Sequence, residues 1–182
     1  MVLKVDVITL GAPEVRAARG FYATALSPAV APATSGFRGC LLTCVVDQPT
    51  EVRTLMDAAV RSGAEVLKPA KKALFGAFSG VLRAPDGAIW KLAAATSRDT
   101  GRAAEAPLPT ETTVILGVSA PKASKVFYAA LGMTADRDYG SKYIDFHPAK
   151  AAARLCLMER GVLARDAGTT KEGDGFLRRV TH

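Results

Sequence analysis

The apolar positions of this chain fall into short runs, and a helical stripe follows several of them. Val5–Leu10, Cys40–Val46 and Thr113–Val118 have the make-up of strands. The middle run is apolar almost throughout, which suits a strand covered on both faces. Behind it, Val52, Leu55, Met56, Ala59 and Val60 share one helical stripe, and Gly63 marks the stop. Behind the third run, Ala123, Val126, Phe127, Ala130 and Leu131 do the same, with Gly132 as the stop. Pro13, Pro49 and Pro121 stand where helices would begin, a position with no N–H to lose. Glu65–Lys68, Phe78–Arg83 and Ile89–Ala93 read as three further strands, with Pro85-Asp86-Gly87 as a turn before the last. The order returns in Met133–Asp138, in Tyr143–Phe146, where Tyr143 and Asp145 alternate with Ile144 and Phe146, and in Arg154–Glu159.

The pattern is a repeated strand–helix–strand–strand–strand unit. Phe21-Tyr22 recurs as Phe127-Tyr128, and at the same offset Leu10-Gly11 recurs as Leu116-Gly117. A weaker copy is anchored by Glu14-Val15-Arg16 and Glu51-Val52-Arg53. The polar, Pro-rich stretch "TSRDTGRAAEAPLPTE" separates two units as a linker.

The 182 residues are 49% apolar and 23% charged, as in a soluble globular protein with a real core. No apolar run approaches the roughly 20 residues of a membrane span, and the opening "MVLKVDVITL" lacks the pattern of a signal peptide. A cytoplasmic protein with no membrane partner is expected. The three cysteines form no CxxC pair and read as small buried hydrophobes. A net charge of +7 favours anionic partners. The basic residues are spread along the chain, with Lys68, Lys71 and Lys72 as one cluster and Arg178-Arg179 as another, which does not favour a nucleic-acid surface.

The segments "ITLGAPEVRAARGFY", "FSGVLRAPDGAIWKL" and "ILGVSAPKASKVFYAALGM" resemble the vicinal-oxygen-chelate superfamily, which includes glyoxalase I, bleomycin-resistance proteins and ring-cleaving dioxygenases. The resemblance implies an α+β fold, with βαβββ modules forming a cupped mixed sheet. It also implies a divalent metal held by residues from the first and last strands of each module, in a cavity that admits a chelating substrate.

Carried over, those metal positions fall on Val7, Thr113 and Cys44 in the first strands and on Lys91 in "IWKL". Val cannot ligate, Thr is a poor ligand, a Lys ammonium repels a cation, and one thiolate does not make a site. His147 follows a strand in a loop-like context, and His182 is the last residue. The expectation is therefore a metal-independent protein with no cofactor that binds a small anionic metabolite or drug. Lys91, Cys44, Lys68 and Tyr143 are the candidate ligand-binding residues, and no residue is assigned a catalytic role. Lys91 would face the cavity and either pair with an anion or act as nucleophile or base; snorkelling to solvent is its bland alternative. Trp90 would point to the opposite face, against a helix. Two other functions stay open: a metal-dependent lyase, isomerase or dioxygenase, and a non-catalytic assembly protein.

The copies differ in length. Phe127 lies 49 positions before the "GF" at Phe176, whereas Phe21 lies 16 before the "GF" at Phe37. The organisation expected is an incomplete first module at 1–35 (strand and helix only), a complete module at 36–96, a linker at 97–110, a third module with its connecting segment at 111–173, and the start of a truncated fourth at 174–182. An unpaired module exposes a sheet edge, so a homodimer is expected as well.

Overall fold

The computed structural model describes residues 9–11, 16, 29–31, 37–73, 77–147 and 153–172. The expected module at 174–182 and His182 lie outside the described residues, as does most of 1–35. Two short strands of that first segment, β1 (Thr9–Gly11) and β2 (Ala29–Ala31), pair in parallel. The sequence predicted one strand and a helix there; three residues are too few to show alternation, so β2 left no signal.

Next come β3 (Cys40–Val46), α1 (Pro49–Arg61), β4 (Glu65–Lys72), β5 (Phe78–Arg83) and β6 (Ile89–Ala94). A second series follows: β7 (Glu111–Val118), α2 (Pro121–Ala130), β8 (Ala135–Asp138), β9 (Tyr143–Phe146) and β10 (Arg154–Glu159). A short helix, α3 (Arg160–Asp166), follows β10 directly in a segment expected to be a connection. Strands β3 to β10 form one mixed sheet in the order β4-β5-β6-β3-β7-β10-β9-β8. The two βαβββ series are mirrored about its centre. Their first strands, β3 and β7, pair antiparallel, and each first strand pairs in parallel with the last strand of its own series. The sheet edge that motivated a dimer is thus filled within one chain. The outer strands β4 ("EVLKPAKK") and β8 ("ADRD") carry charges and a proline, features that discourage further edge pairing.

The helices α1 and α2 cover one face. Val52, Leu55, Met56 and Ala59 of α1 pack with Leu42, Cys44, Trp90 and Leu92 of the sheet, and each large side chain contributes roughly 1.5–3 kcal/mol by leaving water. Trp90, 3% exposed, lies on this helix face. Val60, placed on the buried stripe by periodicity, is 46% exposed at the end of α1. The linker caps α1: Asp99 accepts from the Thr50 N–H, the Gln48 side-chain oxygen from the Thr100 and Gly101 N–H groups, and Glu51 from that of Ala104. That explains why Gln48 and Glu51 are buried.

Helix α2 is rotated relative to the expected stripe. Tyr128 packs against the core with its ring edge toward Phe146, while Val126 and Phe127 are 69% and 60% exposed and Leu131 is also exposed. Apolar residues lie on several sides of this helix, so periodicity alone does not select the buried side. Among the described residues, no helix is long and apolar enough to cross a membrane.

Candidate functional site

The inner face of the sheet, opposite α1 and α2, is built by strand alternation. Leu42, Cys44, Trp90, Leu92, Val114 and Leu155 belong to the helix-side core. Their neighbours Thr43, Lys91, Thr113 and Arg154 therefore point to the inner face. The register sets these four side by side. Thr43 is opposite Lys91 in the parallel β3–β6 pair and opposite Thr113 in the central β3–β7 pair, and Thr113 is opposite Arg154 in the parallel β7–β10 pair. First-strand and last-strand positions of both series thus form one row: Lys91, Thr43, Thr113, Arg154.

The two cations of the row have different surroundings. Arg154 is engaged by Glu111 (Nε–O 3.1 Å) and Asp136 (Nη1–O 2.8 Å), with Asp145 at 3.8 Å. Burial works against its charge, but these carboxylates outweigh that and raise its pKa. The hydrogen bond from Arg154 holds the Asp136 carboxyl below its usual range. Thr113 donates its hydroxyl to Glu111. At the other end, Lys91 Nζ donates to both carboxylate oxygens of Asp166, at 2.9 and 3.1 Å. Between them, Thr43 is 9% exposed, and its hydroxyl has no hydrogen-bond partner among the described residues.

Asp166 reaches Lys91 because α3 lies across the inner face. Leu163, Ala164 and Ala167 pack there with Leu41, Val81, Ile89, Ile115 and Phe37. The approach is close: a Cβ on Gly117 of β7 would stand 3.2 Å from the Arg160 Cα and from Leu163 Cδ2. The Glu159 carboxylate caps the N-terminus of α3 by accepting from the Gly161 and Val162 N–H groups. Lys68 closes the other end, donating to the carbonyls of Arg165 and Asp166 at 2.7 and 2.6 Å. Beside that end lies a cleft of about 290 Å³ lined by Phe37, Arg83, Gly87, Ile89, Thr169, Thr170 and Glu172.

Of the residues singled out in the sequence, Lys91 and Lys68 come together at Asp166. Tyr143 packs on the same face against the same apolar cluster, but its hydroxyl meets other partners. Its hydroxyl is 3.0 Å from Cys156 Sγ and 3.4 Å from buried Asp145, and burial with the Cys156 contact raises its pKa. Cys44 points the other way, into the helix-side core, where burial pushes its thiol up to about 11. The first-strand position on the inner face is its neighbour Thr43, because a shift of one residue along a strand exchanges the faces. Thr43, Arg154 and Asp166 went unrecognised in the sequence. The alternation in "RLCLME" was the available signal for Arg154.

A metal of the kind the resemblance implies does not fit this row. Its members are two hydroxyls and two cations, and among the described residues no group of three or more His, Cys, Asp and Glu side chains could hold a metal ion. His147 is exposed, with Nε2 3.7 Å from Asp136. Asp86 is a turn residue, its carboxylate accepting from the Ala88 N–H.

No family model matches the chain, and no curated protein matches it. Solved structures do. A glyoxalase I mutant from Zea mays superposes with a TM-score of 0.57 at 14% identity, covering 86% of this chain and 67% of that one. A putative dioxygenase from Bacillus subtilis gives 0.52 at 11% identity, covering 87% and 63%, so this chain spans less than two thirds of that protein. A glyoxalase-related enzyme from Fulvimarina pelagi is 23% identical, with a TM-score of 0.42, over 57% of this chain and 100% of that chain. The fold is that of the glyoxalase/bleomycin-resistance/dioxygenase proteins, an α+β arrangement of βαβββ modules about one mixed sheet. At these identities the fold is what is shared, and the chemistry has to be read from this chain's own side chains.

Proposed function

We propose that this protein is a metal-independent binder of a small anionic molecule, with Lys91 as the anion's partner on the inner face. One observation carries the proposal. The row formed by the first and last strands of both series holds Lys91, Thr43, Thr113 and Arg154, a set that repels a metal ion and attracts an anion. Arg154 is already engaged by carboxylates from three strands. Among the described residues Lys91 has a single carboxylate partner, and its side chain keeps 26% of its surface in water. A metal-dependent lyase, isomerase or dioxygenase would need ligands that this row does not supply.

Thermal melting in the presence of divalent manganese, nickel or zinc, and separately of small carboxylates and phosphates, tests the proposal. An anion should raise Tm by binding the native state, the metals should not, and Lys91→Met should abolish the anion's effect. Stoichiometric metal in the purified protein, with a metal-dependent rise in Tm, would overturn the proposal. Assembly is a second reading, favoured by the exposed Val126, Phe127 and Leu131 of α2. A homodimer would bury that surface.

A further inference from the structure

We infer that the ligand of the inner face is a monocarboxylate, and that the carboxylate of Asp166 holds its place in the free protein. The inference rests on the anion-binding reading above and specifies its ligand. The Lys91 ammonium already grips a carboxylate by both oxygens, so the geometry for such a group is built. The carboxylate it grips comes from the last residue of a seven-residue helix. Both partners are partly in water, with side chains 26% and 34% exposed. Screening makes such a pair weak and easily exchanged.

Two further features suit an outside carboxylate better than the internal one. The Thr43 hydroxyl, buried beside Lys91 in the register, has no hydrogen-bond partner among the described residues. A carboxylate arriving at Lys91 can accept from it, which Asp166 does not. The cleft of about 290 Å³ is close to the size of small-ligand pockets. Its apolar walls are Phe37 and Ile89, and Ile89 lies two residues before Lys91 on the same strand and face. Its other wall, Thr169 and Thr170, continues the chain segment that carries Asp166. Release of the Asp166 carboxylate therefore frees Lys91 beside this wall, while Lys68 keeps its hold on the Arg165 and Asp166 carbonyls. The body of the ligand would rest against Phe37 and Ile89 with its carboxylate on Lys91 and Thr43. One negative charge is favoured over two, because Glu172 lines the cleft, its lining cation Arg83 is already paired with Glu65, and Glu111 sits on Thr113.

The test is calorimetric titration of the full chain with benzoate and with inorganic phosphate, for the wild type, Asp166→Asn, Lys91→Met and the double variant. Benzoate should bind Asp166→Asn about fivefold more tightly than the wild type, since the internal competitor has lost its charge. Lys91→Met should abolish binding in both backgrounds. Amide exchange over α3 in the wild type should quicken on saturation with benzoate, which tests the displacement without any variant. Equal benzoate affinity in wild type and Asp166→Asn, lost on Lys91→Met, overturns this inference and leaves anion binding standing. Tighter binding of phosphate than of benzoate overturns the carboxylate class. Binding that survives Lys91→Met, or no binding of either anion to any variant, overturns both.

Discussion

Thr43 carries a buried hydroxyl with no hydrogen-bond partner among the described residues, between Lys91 and Thr113. Desolvating such a group without compensation costs about 1–3 kcal/mol. Thr43→Val keeps the shape and removes the polar atom. It should raise the urea midpoint by an amount equivalent to about 1 kcal/mol while weakening anion binding. A lower midpoint would mean that the hydroxyl is satisfied in solution and would remove it from the site. Residue-level legibility was uneven on this face. Lys91 was placed from the motif "APDGAIWKL", which carries its own register. A short Glu-Val-Arg match selects Cys44, one position from the inner-face Thr43, and one position exchanges the faces of a period-two element. Arg154 had no motif to mark it, and its role as the counterpart of Lys91 follows from the strand pairing.

At the scale of elements, α3 decides what the inner face can do. Its seven residues are too short to display a helical period, and its docking depends on Gly117 far back in the chain. The local signal was its cap. Hydrogen bonds from the Gly161 and Val162 N–H groups hold the Glu159 carboxyl below its ordinary value of 4.5. A carboxylate whose pKa is depressed by folding stabilises the folded state above that ordinary value. The contribution is lost as pH falls through the lowered value. Glu159→Gln should thus be less stable than the wild type at pH 7, and the two urea midpoints should draw together as pH falls below that ordinary value. A gap that stayed constant with pH would show that the cap acts through shape alone. By contrast, β3, β5 and β10 have the bounds their patterns predicted, because long apolar or alternating runs between turn residues leave little choice. The pattern marks helix α2 but not its buried side, because its apolar residues do not form one stripe.

At the scale of the molecule, the two βαβββ series share one sheet through β3 and β7. Leu42 and Val114 face each other across that seam within a single core. The described portion should therefore unfold in one transition, with Trp90 fluorescence and far-ultraviolet circular dichroism giving the same midpoint. Two separated transitions would show that the series fold independently. The same melts, repeated over a range of protein concentrations, decide the homodimer. A monomer's Tm is independent of concentration, whereas that of a dimer rises.

The chain alone specifies the βαβββ order and the opposite faces of Trp90 and Lys91. Those features depend on periodicity and on residue chemistry, and both are local. Packing in three dimensions decided that β3 pairs with β7 in the same chain. It also decided that Thr43 and Arg154 complete a row with Lys91 and Thr113, and that Asp166 of α3 occupies the cation first assigned to a ligand. Each of these brings together residues far apart in the chain, and contacts of that kind are fixed by packing and register, which leave no pattern along the sequence.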